Sequence, residues 1–343
     1  MRLFIDSLFF FRLFNDIIPA EIRKKAEGMI VLWIVLGLLL AVFVVGLGIL
    51  SYACGRRAVP DLFDPDVLDK RGYGMVKDDV LAGKAWLTQQ ETEDLELMSY
   101  DGKLLHALLV PCENARGTII LFHGWRSSWK LDFGSVLPVY HSLGLNLIIC
   151  DQRAYGKSEG LFTCFGVKER HDVVSWATYA SQLFGDEHPI LLGGISMGAS
   201  TVLMASDLDL PGNVRGIIAD CGFSSPYDIM DCVIRTRFRG VPVKPTLWLM
   251  GLFTSVFAGF GLKEASTFDS VAKSKTPILF IHGTADRFVP PEMSERACEL
   301  CAAPKKLVLI EGAGHGLSYP VDKERVTAAL FDFINTNIGG KEA

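Results

Sequence analysis

The segment Gly194-Ile195-Ser196-Met197-Gly198 follows an apolar run, ILLGGI, and opens a helix-compatible stretch. A serine between two glycines at a strand-to-helix turn is presented as a nucleophile, because small flanking residues leave room for strained backbone. Its hydroxyl is too weak an acid to attack a carbonyl unaided. It needs an imidazole to take the proton and a carboxylate to fix the imidazole's tautomer. Two later strand ends supply these groups in the order serine, acid, histidine: Asp286 in IHGTADRFVP and His315 in IEGAGHGLSY. Asp220, which also closes an apolar run, is the rival acid. His123 and His282 stand before glycines and read as loop-shaping residues, while His106, His141, His171 and His188 lack a strand-end setting. The oxyanion of an acyl-transfer intermediate needs two preorganised N–H donors. Met197 supplies one from the helix start, and Trp125, in LFHGWRSS, supplies the other. A halide-displacing enzyme would need a carboxylate at position 196, so that chemistry is excluded.

These residues have to be held by a sheet. Short apolar runs at 118–122, 145–150, 189–193, 214–219, 277–281 and 306–310 alternate with stretches of helical period, the pattern of a parallel, doubly wound sheet. An alternating pair of runs, 94–98 and 103–110, turns at Asp101-Gly102 and reads as a hairpin. In such sheets ligands gather on the loops beyond the carboxyl ends of the strands, where Ser196, Asp286 and His315 lie.

The 343 residues are 50% hydrophobic and 21% charged, with a net charge of −5, which gives no basic stripe for a nucleic-acid backbone. The eight cysteines are scattered. Cys298 and Cys301 form a CxxC without a second pair to complete a metal site, so the thiols read as free and no metal or cofactor is expected. Residues 29–50 form an uncharged run about as long as a bilayer core requires, roughly 20 residues, and longer than the apolar region of a signal peptide. They read as an uncleaved transmembrane anchor, after an aromatic-rich tail, 1–28, that suits a membrane interface. Arg23, Lys24 and Lys25 before the span outweigh Arg56 and Arg57 after it, which favours an extracytoplasmic catalytic domain. The unpaired cysteines pull the other way.

From about 92 to 338 the chain resembles the α/β-hydrolase superfamily, in its lidded serine-hydrolase branch of peptidase- or esterase-like bacterial members. The matching segments are HGW at 123–125, DQRAYGKSEG at 151–160, GISMG at 194–198, HGTADRFVP at 282–290 and GAGHG at 312–316. The resemblance implies an α/β fold with a mostly parallel sheet and an inserted helical cap, behind one transmembrane helix. Ala154 departs from it, standing where relatives commonly carry glycine. The HGW segment departs from the HGGG of some lipases.

The expected organisation is a linker at 51–90, a core at 91–222, a helical cap at 223–272 and the rest of the core at 273–338. Within the cap, residues 245–262 carry no charge. Trp248, Met250, Phe253 and Phe257 are read there as lining an acyl pocket or touching the membrane, against a plainer reading of helices packed on the core. The expected activity is hydrolysis of an ester, thioester or amide through an acyl-enzyme, with a small or lipid-like acyl substrate. An acyltransferase and a non-catalytic scaffold are the alternatives.

Overall fold

A computed structural model describes residues 19–339. Part of the N-terminal tail therefore lies outside the described residues. The chain divides into two units, 1–50 and 51–343. Helix α1 (Ala20–Cys54) begins ahead of the span expected from sequence, runs through it and ends within the second unit. It is long and apolar enough to cross a membrane or to serve as a signal sequence.

The second unit is built on an eight-stranded sheet in the order β1-β2-β4-β3-β5-β6-β7-β8. The hairpin of β1 (Glu93–Met98) and β2 (Leu104–Val110) is antiparallel, and β2 also pairs antiparallel with β4 (Leu145–Asp151). The remaining pairings are parallel. They join β4 to β3 (Gly117–Phe122), β3 to β5 (Ile190–Ile195), β5 to β6 (Val214–Asp220), β6 to β7 (Ile278–Gly283) and β7 to β8 (Lys305–Ile310). All residues of β3 and β4 are buried, which explains why they read as continuous apolar runs without alternation.

The stretch read as a linker is largely helical. Asp64 caps α2 (Pro65–Lys70) by accepting the Asp66 N–H, with proline at the first helical position, and a short 3₁₀ turn leads into α3 (Lys77–Leu87). Phe63, Leu68, Val76 and Val80 are buried together beside Trp129, Leu131 and Leu317, so this segment has its own small core. After β3 come α4 (Trp129–Asp132) and α5 (Leu137–Ser142), and α6 (Glu169–Phe184) follows β4. Helix α7 (Met197–Met204) follows β5.

Between β6 and β7 the inserted cap holds α8 (Pro226–Arg237), α9 (Val243–Phe253), a π turn at Thr254–Ala258 and α10 (Thr267–Val271). Helices α11 (Glu292–Leu300), α12 (Ser318–Val321) and α13 (Lys323–Ile338) complete the unit. One core, which includes Trp176, unites α6, α7 and α11 with one set of sheet side chains. The other unites α5 and α13 with the opposite set, through Leu137, Tyr140, Leu330 and Phe333. Helices on both faces make the sheet doubly wound and leave the carboxyl ends of the parallel strands to carry the loops that hold the site.

Candidate active site

Ser196 sits between β5 and α7 with φ +56° and ψ −116°, a conformation outside the comfortable regions for a residue with a Cβ. The turn closes this tightly only because its flanks lack side chains. A Cβ on Gly198 would run into the carbonyl of Phe122, and one on Gly194 into the backbone of Gly198. The Ser196 N–H is held by the Asp220 carbonyl at 2.8 Å, tying the turn to the end of β6.

His315, on the loop after β8, places Nε2 2.8 Å from Ser196 Oγ and Nδ1 2.6 Å from Asp286 Oδ2. Asp286 is buried, and burial alone would raise its carboxyl. Hydrogen bonds from His282 and His315 and from the Phe288 N–H outweigh that and hold it well below the ordinary carboxylate range. Its Oδ1 accepts the N–H groups of Phe288 and Val289, at 2.8 and 3.0 Å. An ionised Asp286 requires the proton on Nδ1 of His315, which leaves Nε2 to accept from the serine hydroxyl.

His282 does more than shape a loop. Its Nε2 lies 3.0 Å from the Val289 carbonyl and 3.3 Å from Asp286 Oδ2, so Nε2 carries the proton and Nδ1 accepts from Ser294 Oγ at 2.7 Å. The sequence signal for this role is the spacing of His282 four residues before Asp286, with a hydroxyl at Ser294 to fix the ring. Asp220, the rival acid, instead accepts from Ser318 Oγ at 2.8 Å, and burial raises its carboxyl to about 6.

The loop after β3 is clamped on both sides of Trp125. Gly124 N–H donates to Asp132 Oδ2 at 2.6 Å, Asp132 Oδ1 takes the Ser127 hydroxyl at 2.6 Å, and Arg126 N–H donates to Tyr155 Oη at 3.0 Å. Between those anchors the Trp125 amide has no acceptor among the described residues, whereas its indole N–H binds the Ala53 carbonyl at 2.9 Å. Met197 is the first residue of α7, and its N–H has no intrahelical partner. His123 is buried beneath the loop, with Nδ1 2.9 Å from the Gly124 carbonyl.

A cavity of about 160 Å³ adjoins Ser196 and His315 and is walled mainly by apolar side chains. Tyr73, Val76 and Val80 come from the segment expected to be a linker, Leu131 and Phe133 from the region of α4, and Leu330 from α13. Trp248, Met250, Phe253 and Phe257 do not line it. Met250 and Phe253 are buried within the cap, and Trp248 and Phe257 are exposed. Cys221, Asp286 and His315 offer atoms within 4.8 Å of one another that could hold a metal. Both imidazole nitrogens and the carboxylate are already engaged in hydrogen bonds, and burial pushes the Cys221 thiol well up, so the set suits a hydrogen-bonded relay better than a cation.

A fold of this kind with a serine, histidine and aspartate at its strand ends defines a class, the α/β-hydrolases. The prolyl oligopeptidase family matches this chain over residues 163–341, just over half its length and including Ser196, Asp286 and His315. The chain belongs to that family, and it is a hydrolase. It is 28% identical to the uncharacterized protein YqkD of Bacillus subtilis over 236 residues, spanning 69% of this chain and 76% of that protein. It is 27% identical to the uncharacterized protein YfhR of Salmonella typhi over 267 residues, spanning 74% and 85%. Among solved structures, the Pyrococcus furiosus esterase Pf2001 shares the fold with a TM-score of 0.57 at 21% identity, over 73% of this chain and 94% of that one.

Proposed function

We propose that the protein is a membrane-anchored serine hydrolase that cleaves an ester, thioester or amide of a compact, apolar acyl group through an acyl-enzyme. The observation that carries this reading is the Ser196–His315–Asp286 relay, with contacts of 2.8 and 2.6 Å, at a cavity of about 160 Å³. As Ser196 Oγ bonds to the carbonyl carbon, its proton passes to His315 Nε2, and the carbonyl oxygen gains charge facing the Met197 and Trp125 amides. Collapse expels the alcohol, thiol or amine with that proton. Water, deprotonated by the same nitrogen, then releases the acid.

The acyl group is assigned to the cavity on size, because an apolar cavity of about 150 Å³ accommodates a benzene-sized guest. Helix α1 is read as a retained anchor, and the basic Arg23-Lys24-Lys25 triplet before it favours an extracytoplasmic catalytic unit.

The test is acid-quenched mass spectrometry of the full chain with p-nitrophenyl butyrate. A butyryl adduct on the peptide bearing Ser196, absent from Ser196→Ala, is the expected result. Unchanged turnover in Ser196→Ala would overturn the proposal. Ester products formed with a competing alcohol, in preference to free acid, would reassign the enzyme as an acyltransferase.

A further inference from the structure

Helix α9 is apolar on two sides. Leu247, Met250 and Phe253 are buried, whereas Trp248 and Leu252, with Val256 in the π turn that continues the helix, recur every fourth residue and are 69%, 45% and 64% exposed. Residues at that spacing share one face, so they form a single stripe, with the half-exposed Phe257 at its end. The turn leading into α9 adds exposed Phe238 and Val241. A helix covering a core needs only one apolar face, so the outer stripe calls for a second apolar surface.

Two observations say what that surface is. From Cys232 to Leu262 the chain contains Arg235, Arg237, Arg239 and Lys244 and no acidic residue, so the stripe lies in a segment of purely positive charge. All four basic side chains are exposed, and with Arg235 paired to Asp231 at 2.6 Å, Arg237, Arg239 and Lys244 carry the net positive charge of the segment. Apolar and basic residues together match an anionic lipid surface, where each Lys or Arg near the headgroups contributes about 1 kcal/mol.

The second observation is a ring contact with the end of α1. Tyr52 lies in the last turn of the helix that is long enough to span a bilayer, and its ring meets Phe238 edge to face at 5.7 Å. The Arg126 guanidinium stacks over the same ring at 4.2 Å. Phe238 is thereby held beside the residues at which the chain would leave the hydrocarbon, and tyrosine is enriched at that depth.

We propose that the face from Phe238 to Phe257 is a monotopic docking surface for an anionic membrane, inserting Trp248, Leu252 and Val256 among the headgroups. The inference rests on reading α1 as a retained anchor. It makes the cap a second membrane contact, and it ties the Trp125–Arg126 loop, through Tyr52 and Ala53, to the membrane-proximal turn. Substrates presented at the lipid surface are the class this arrangement serves.

The test uses the full chain in vesicles of phosphatidylcholine and phosphatidylglycerol, with the phosphatidylcholine either brominated or not. The Trp248 share of the fluorescence is taken as the difference between wild type and Trp248→Phe. That share should fall to about half or less in brominated vesicles, as expected for a ring at the roughly 5–10 Å depth of an interfacial face. Val256→Asp, a change at an exposed position, should restore it. Protein that floats with the vesicles but shows an unchanged Trp248 share, or continued quenching in Val256→Asp, overturns the docking face and leaves the anchor intact. Protein that does not float overturns the anchor reading, and the docking proposal with it.

Discussion

Filling the cavity from the α3 side should convert a chain-length preference into indifference. Val80 is 1% exposed, belongs to the small core of the 51–90 segment and lines the cavity beside Ser196. Phenylalanine at this position would enlarge a side chain that lines the 160 Å³ cavity and so reduce the space left for an acyl group, at an overpacking cost of about 1–3 kcal/mol in stability. Hexanoate has four more methylenes than acetate. At about 0.8 kcal/mol each when buried, they are worth about 3 kcal/mol, or roughly a hundredfold in kcat/KM. The wild type should therefore prefer p-nitrophenyl hexanoate over acetate by up to about that factor, and palmitate should lose the advantage because its chain exceeds a benzene-sized cavity of about 150 Å³. In Val80→Phe the hexanoate preference should fall at least about tenfold, the worth of one to two methylenes, with acetate hydrolysis close to wild type. Steady-state kinetics on the ester series measures this. An unchanged acetate-to-hexanoate ratio in a folded Val80→Phe protein would refute the assignment of the acyl group to this cavity.

Asp132→Ala removes the acceptor that holds Gly124 N–H and Ser127, and should lower kcat by about tenfold to a hundredfold with little change in KM, since a displaced oxyanion donor acts on the transition state. A change confined to KM would contradict that role. The Asp220 carboxyl is raised by burial to about 6, so the native state holds this proton more tightly than the unfolded chain. Stability from this group is full below the ordinary value of about 3.9 and is lost as pH rises through about 6, amounting to about 3 kcal/mol by pH 7. Asp220→Asn should remove that loss while still accepting from Ser318, so its unfolding midpoint should exceed that of wild type at pH 7 and match it near pH 4; parallel midpoints across the range would contradict the account. Ala154 adopts φ +65°, and Ala154→Gly should stabilise by up to about 1 kcal/mol, read as a small rise in Tm, whereas a fall would show that the methyl's contacts outweigh its strain.

The strands were legible because burial on both faces, as in β3 and β4, writes itself as an unbroken apolar run. The glycines around Ser196 were legible because the close approaches to Phe122 and Gly198 forbid any other residue. The cavity was not legible. Its walls come from Tyr73, Leu131, Ile218 and Leu330, which meet only in three dimensions.

Helix α3 is hard to read from sequence because Lys77, Asp78, Asp79 and Lys84 surround Val80, the one large apolar side chain it buries fully. Asp64-Pro65, a cap followed by a first-turn proline, was the local signal that the segment is structured. In the cap, an uncharged stretch does not say which side chains face inward. Met250 and Phe253 are buried and Trp248 is exposed, a division that depends on how α9 is docked. Ala154 shows the reverse case, a departure from the family pattern that the backbone absorbs as a left-handed residue.

The central claim is that Ser196 is activated by His315 and Asp286. Labelling of the full-length protein with a fluorophosphonate probe, followed by in-gel fluorescence, tests it most directly. The account predicts labelling of the wild type, none of Ser196→Ala, and labelling slowed by orders of magnitude in His315→Ala, whose serine would lack the acceptor now 2.8 Å away. Wild-type labelling that persists in Ser196→Ala, or a folded wild type that does not react at all, would contradict it.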